Sequence, residues 1–132
     1  MKIFIGHKFQ SVDKKELRKK IEKITSVLEE KGYQTFSYLR DKEKWKPKNF
    51  PPGKVIKEAF NELKKCDALL IFVDSSEKSE GIFLEFGFAK ALHKKTILLI
   101  AKGISSPTLE AIADKVIRFR SLKDLDKKLI KI

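Results

Sequence analysis

Cysteine, long hydrophobic runs and arginine are all scarce in this chain of 132 residues. Its one cysteine, Cys66, excludes a disulfide framework and a metal site built from several cysteines, so we expect a reducing, cytoplasmic compartment. The longest apolar runs, at residues 68–73 and 96–101, are far too short to cross a bilayer. We therefore expect no signal peptide, no transmembrane helix and no membrane partner.

The net charge of +12 comes from lysine. Only four of the 30 basic residues are arginine, and lysine pairs recur along the chain, at residues 14–15, 19–20, 64–65, 94–95 and 127–128. Proteins that read base edges or grip backbone phosphates favour clustered arginine. We therefore expect no nucleic-acid partner, whereas the positive field would attract small anionic ligands.

Familiar cofactor motifs are missing as well. The chain has no G-x-G-x-x-G sequence and no G-K-S/T phosphate loop, which disfavours a dehydrogenase or a kinase. Its two histidines, His7 and His93, stand apart from each other and from any metal-ligand spacing. We expect neither a metal nor another cofactor.

Apolar segments alternate regularly between strand and helix character, which predicts one α/β domain over residues 1–132. The predicted strands cover residues 2–6, 33–39, 68–74, 95–101 and 115–119. The predicted helices cover residues 13–32, 55–65, 81–93, 105–113 and 122–130. Right-handed crossovers and this size favour a flavodoxin-like three-layer α/β/α fold, with a five-stranded parallel sheet in the order 2-1-3-4-5.

That strand order predicts where a ligand binds. The order reverses between strands 1 and 3, and ligands of such sheets bind beyond the carboxyl ends of the strands at this point. The residues there are Gly6, His7 and Lys8 after strand 1, and Asp74 after strand 3.

Glu85 is the most unusual residue in the sequence, because it is the only charge in the apolar window 82–89. Its helical neighbours at three and four residues' spacing are apolar or small, so its face should meet the sheet or a cleft. A carboxylate in such a place is costly unless it is paired or faces a ligand. Gly81, one turn earlier, leaves room for a ligand to approach. The ordinary alternative is an ion pair with Lys90 or Lys94.

Residues 66–100 resemble the nucleoside 2-deoxyribosyltransferase superfamily. The resemblance rests on Cys66-Asp67, an apolar strand, a polar turn, and then the sequence SEGIFLEFGFAKAL from Ser79 onward. In that superfamily this block carries a nucleophilic glutamate, which implies that Glu85 is the nucleophile here. It also implies a dimer or larger homo-oligomer, in which Ser106 would reach a neighbouring subunit's site.

The reaction that this resemblance implies, at an N-glycosidic bond, suits a carboxylate. Cleavage of an N-glycosidic bond passes through an oxocarbenium-like state, which a nearby carboxylate can stabilise and trap covalently. The leaving base needs a proton, and Asp74 at the end of strand 3 is the candidate for an acid/base or sugar-orienting group. Its alternative role is to hydrogen-bond the turn that follows.

The residue at position 79 distinguishes subgroups of this superfamily. Nucleoside transferases carry aspartate at this position, which holds the 5′-hydroxyl, whereas the nucleoside 5′-monophosphate N-glycosidases carry a serine that touches the phosphate. The resemblance thus implies cleavage or transfer at the N-glycosidic bond of a (deoxy)nucleoside or its 5′-monophosphate, and Ser79 favours the monophosphate, although it could simply cap the helix. Two departures from the monophosphate hydrolases are the bulky Phe83 and the missing glycine-rich loop after strand 1.

Two alternatives stay open. Toll/interleukin-receptor-like domains share the topology and place a catalytic glutamate six residues after a serine, which would make the substrate NAD; Gly81 stands where they carry tryptophan. The other alternative is a nucleotide-binding or signalling module without turnover. In the basic loop 42–54, Trp45 and Phe50 could form a base-stacking lid or pack the loop onto the body.

Overall fold

The computed structural model describes residues 1–10, 12–46, 48–129 and 132. Within this part of the chain, five strands form one parallel sheet in the order β2-β1-β3-β4-β5, which confirms the predicted flavodoxin-like arrangement. The strands are β1 (Lys2–His7), β2 (Gln34–Ser37), β3 (Ala68–Val73), β4 (Lys95–Ala101) and β5 (Lys115–Phe119).

Helices follow the strands in alternation. They are α1 (Lys14–Glu30), α2 (Tyr38–Asp41), α3 (Pro52–Lys64), α4 (Glu80–Ala91), α5 (Pro107–Ile112) and α6 (Leu125–Lys128), with a 3₁₀ turn at Leu122–Asp124. None of these described helices is long and apolar enough to span a membrane.

Two predicted elements differ from the observed ones. The predicted strand at 33–39 ends at Ser37, because the Ser37 hydroxyl accepts the Arg40 N–H and starts the short helix α2. Asp41 reinforces this cap by accepting the Ser37 N–H at 3.0 Å. The predicted closing helix at 122–130 divides into the 3₁₀ turn and α6, and its last residue, Ile130, lies outside the described residues.

The sheet is covered on both faces. Ile3 and Ile5 of β1 pack toward α1 and α6, whereas Phe4 between them packs toward α3 and α4. The same alternation divides β3: Leu70 and Phe72 belong to the α1 side. Since the sheet is buried on both faces, its strands are nearly uninterrupted apolar runs.

Helix α4 is positioned by its first residues and its apolar side chains. The Ser79 hydroxyl caps it by accepting the Ile82 N–H at 3.4 Å. Phe86 is fully buried against the sheet, and Phe88 stacks on Phe60 of α3 with ring centroids 4.1 Å apart. These contacts fix the face of α4 that carries Glu85.

Candidate active site

A cavity of about 950 Å³ opens at the carboxyl ends of β1 and β2, between the amino-terminal turns of α3 and α4. Its volume is in the range of small-molecule sites. Six residues that the sequence singled out line it: Gly6, His7, Lys8, Ser79, Gly81 and Glu85. The strand order therefore brings β1 and α4 together at the predicted place.

Glu85 lies in the second turn of α4 with its carboxylate against the backbone of Gly6. A Cβ atom on Gly6 would stand 2.7 Å from Glu85 Oε1 and 2.5 Å from Ile71 Cδ1, so only glycine leaves room for the carboxylate here. Burial raises the pKa of Glu85 to about 8, and no charge or hydrogen bond among the described residues offsets it. Neither Lys90 nor Lys94 pairs with it; Lys90 pairs with Asp114, and Lys94 bonds the Lys64 carbonyl.

The amino-terminal end of α4 forms one end of the cavity. Ser79 and Gly81 lie there, and a Cβ atom on Gly81 would meet only the Ser79 hydroxyl at 3.9 Å, so the space in front of this turn is open. Lys8 reaches the same end, where its ammonium pairs with the exposed carboxylate of Glu77. A hydroxyl, a helix amino terminus and an ammonium group can together bind an anion.

His7 is not a source of positive charge in this cavity. Burial lowers its pKa below the usual value, which keeps the ring neutral at pH 7. Its Nδ1 lies 3.1 Å from the Lys8 carbonyl oxygen. Because a carbonyl can only accept, Nδ1 carries the proton, and Nε2 is left as a hydrogen-bond acceptor.

Asp74 is not among the residues that line the cavity, and its role as the acid/base or sugar-orienting group stays a prediction. It follows the end of β3, and its carboxylate pairs with Lys20 of α1. Asp74 is also close enough to act electrostatically on His7, which lines the cavity. Ser106 also lies outside this cavity, at the start of α5, where its N–H donates to Glu110 at 2.8 Å.

The comparisons with known proteins agree with this geometry. The family model for nucleoside 2-deoxyribosyltransferase matches residues 6–110, which is well over half of the chain. The chain belongs to the nucleoside 2-deoxyribosyltransferase family. Membership makes it an enzyme that acts on an N-glycosidic bond, by cleavage or by transfer. No curated protein sequence matches the chain.

Solved structures share the fold of this family member. A CMP N-glycosidase from Clostridium botulinum is 24% identical, covers 100% of both chains and superposes with a TM-score of 0.73. A 2-deoxyribosyltransferase from Bacillus psychrosaccharolyticus is 20% identical over 96% of this chain and 90% of its own, with a TM-score of 0.70. A 2-deoxyribosyltransferase from Leishmania mexicana is 16% identical over 86% of this chain and 74% of its own, with a TM-score of 0.60.

The end of the cavity away from Ser79 was not foreseen from the sequence of this deoxyribosyltransferase-family chain. Tyr38 of α2 and Glu43 lie there, beside an apolar wall formed by Phe50, Val55 and Ile56. The sequence pattern placed Tyr38 inside a predicted strand. Ser37 is a good helix-capping residue, and this signal could have predicted that a helix begins at Tyr38.

The two aromatic residues of the loop 42–54 lie in different environments. Phe50 lines the cavity, as a base-stacking role requires. Trp45 instead packs against the core on the α1 side, beneath the Arg18 guanidinium at 4.8 Å from the ring centroid. Trp45 thus anchors the loop to the core, whereas Phe50 faces the cavity.

Proposed function

We propose that this protein cleaves or transfers at the N-glycosidic bond of a (deoxy)nucleoside 5′-monophosphate through a glycosyl-enzyme ester on Glu85. The observation that carries the proposal is the Glu85 carboxylate itself, which lies in a cavity of suitable size without an ion pair or hydrogen bond from the described residues. A carboxyl group held in this way costs free energy, and such groups concentrate at functional sites.

The reaction would proceed by double displacement. A Glu85 oxygen bonds to C1′ while the bond from C1′ to the base breaks, and its electron pair leaves with the base, which gains a proton. Water or a second base then attacks C1′ and frees the carboxylate. In hydrolysis, the proton that water loses in the second step balances the proton that the departing base gained in the first.

The amino-terminal end of α4 supports a 5′-phosphate in the substrate. Ser79 places a hydroxyl at the first turn of a 12-residue helix, where an aspartate would repel the phosphate. Lys8 and Lys78 line the same end. Because Glu77 is largely exposed, a phosphate dianion can take its place on the Lys8 ammonium.

We also propose a cytoplasmic homodimer or larger assembly. The exposed face of α4 carries Leu84, which is 51% exposed, followed at helical spacing by Gly87 and Ala91. Such a face is unusually apolar for solvent. Ser106 of one subunit contributing to its neighbour's cavity stays a prediction of this assembly.

The test is release of free base from a panel of deoxynucleosides, their 5′-monophosphates and NAD, followed by chromatography. We expect release from monophosphates, and loss of at least about a thousandfold in Glu85→Gln. Glu62→Gln is the matched control, because the Glu62 side chain is only 14% exposed on α3 and pairs with Lys42 and Lys65 outside the cavity. Its activity should equal that of the wild type.

Other outcomes identify the alternatives. Release of nicotinamide from NAD alone would favour the activity of the Toll/interleukin-receptor-like enzymes. Binding of nucleotides without release of base would indicate a sensing module. Turnover that survives in Glu85→Gln would refute the assignment of the nucleophile.

A further inference from the structure

The Tyr38 hydroxyl is a buried polar group that makes no hydrogen bond of normal geometry with the described residues. Tyr38 begins α2 and lines the cavity at the end away from Ser79. Burial, the nearby negative charges of Glu58 and Glu43, and a weak hydrogen-bonding contact with the Glu58 carboxylate raise its pKa to about 12, so the hydroxyl keeps its proton at neutral pH. A buried hydroxyl that lacks a well-formed hydrogen bond costs free energy unless a ligand or water supplies the partner.

Glu43 is a second buried polar group at this end. It is only 6% exposed, and one of its carboxylate oxygens accepts the Lys48 N–H at 2.9 Å. A carboxylate has about four acceptor sites, so this single bond leaves acceptor capacity facing the cavity. Glu58 adds a further negative charge beside Tyr38, partly offset by Lys54 at 3.8 Å.

Lys14 also lines the cavity and is close enough to Glu43 to interact with it electrostatically. Its ammonium, however, donates to the Phe9 carbonyl and lies 3.8 Å from the centroid of the Phe9 ring. Lys14 therefore lowers the negative charge at this end but forms no hydrogen bond with the Glu43 carboxylate, whose oxygens stay available as acceptors.

The ends of the cavity fix the orientation of a nucleotide. If the phosphate lies at Ser79 and C1′ at Glu85, the base must extend toward β2 and the start of α3. There Phe50, Val55 and Ile56 supply an apolar wall for its ring, and Tyr38 with Glu43 meets its hydrogen-bonding edge. This step rests on the proposed function.

We propose that Tyr38 and Glu43 form a base-recognition site that selects nucleobases with an exocyclic amino group beside an unprotonated ring nitrogen, as in cytosine and adenine, over their keto counterparts uracil and hypoxanthine. The amino group donates to the Glu43 carboxylate, and the Tyr38 hydroxyl donates to the ring nitrogen. A keto oxygen in the place of the amino group would face carboxylate oxygens and leave a buried acceptor unpaired. Mismatches of this kind are discriminated strongly in buried sites.

The experiment measures nucleotide binding to the non-cleaving Glu85→Gln protein by calorimetry, so that selectivity is read without turnover. The ligands are the pairs dCMP and dUMP, and dAMP and dIMP. We expect the amino-bearing member of each pair to bind about tenfold or more tightly. Adding Glu43→Gln should abolish most of this ratio, because an amide can donate to a keto oxygen while its own oxygen still accepts the Lys48 N–H.

Two further variants test the role of Tyr38 and control for effects outside the cavity. Tyr38→Phe should weaken the amino-bearing nucleotides by roughly threefold to tenfold through loss of one hydrogen bond. Glu62→Gln, outside the cavity on α3, should leave the ratio unchanged. Equal binding of both members of each pair would overturn the base assignment while the proposed function stands. No binding of any of the four nucleotides would overturn both.

Discussion

At the residue scale, Glu85 has two properties that are in tension. In its proposed role as the nucleophile Glu85 must be ionised, yet burial raises the pKa of Glu85 to about 8 and keeps most of it protonated at pH 7. The free enzyme is therefore only fractionally competent at neutral pH.

The pH dependence of kcat/KM follows from this shift. Because the ionised form attacks, the rate should rise about tenfold per pH unit below pH 8 and level off above it. Initial rates of base release between pH 5.5 and 9.5 check this. A profile that is flat between pH 6 and 8 would show that ionisation of Glu85 does not limit the reaction.

Gly6 is the second residue on which the site depends. In Gly6→Ala the new methyl group would overlap Glu85 Oε1 and Ile71 Cδ1, and Ile71 is fully buried. We expect a loss of about 1–3 kcal/mol in the free energy of unfolding. Displacement of the carboxylate should lower kcat by about a hundredfold.

Gly53→Ala is the matched control for that substitution. Nothing lies within 4 Å of a Cβ atom at Gly53, which does not line the cavity, so this change should leave kcat intact and stabilise α3 by up to about 1 kcal/mol. Urea unfolding and base-release assays measure both quantities. Equal effects of the two substitutions would contradict a specific contact between Gly6 and Glu85.

At the scale of elements, much of the fold could be predicted because strand and helix patterns are clear in this sequence. The bounds of β4 and β5 agree with the prediction, since each is a buried or alternating run between polar turns. The end of β2 could not be read from hydropathy. Tyr38 and Leu39 are as apolar as strand residues, and only the Ser37 cap, which competes with strand pairing, ends β2 there.

The site residues likewise divide into those that the sequence could predict and those that it could not. Glu85 was found because it is a lone charge in an apolar helix face. Asp74 was chosen because it follows β3, but side-chain alternation from Phe72 directs it toward α1, where it pairs with Lys20. Tyr38 and Glu43 depend on how the segment after β2 folds back over the sheet, which a single sequence does not determine.

The start of α4 carries the prediction about the 5′ end. Ser79→Asp keeps a good helix cap, so α4 should stay folded, but it adds a negative charge where the phosphate is proposed to bind. We expect the ratio of kcat/KM for monophosphates over nucleosides to fall by about tenfold or more. Competition assays with a monophosphate and its nucleoside measure the ratio. An unchanged ratio would place the phosphate elsewhere.

At the scale of the whole molecule, the charge of +12 belongs mostly to a solvated lysine surface, while the proposed anion-binding role is confined to one end of a cavity. The apolar face of α4 is a different kind of surface. Leu84 belongs to both, since it is exposed on α4 and also lines the cavity. Assembly through this face would therefore adjoin the site.

Ala91→Arg tests that assembly without touching the cavity. Its charge on the exposed apolar face of α4 should shift the protein from dimer or larger assembly toward monomer in analytical ultracentrifugation, and lower activity at dilute concentration. Ser26→Arg, on the exposed face of α1 across the sheet, is the control and should change neither property. A wild-type protein that is monomeric at micromolar concentration would contradict the proposed assembly.

The most direct test of the central claim is to trap the glycosyl-enzyme. A 2′-fluoro-arabino nucleoside 5′-monophosphate should react slowly, because fluorine destabilises the oxocarbenium-like states of both steps. Mass spectrometry should then find one sugar phosphate per subunit, on the peptide that contains Glu85, and none in Glu85→Gln. An adduct on another residue, or release of more than one equivalent of base without any adduct, would contradict the account.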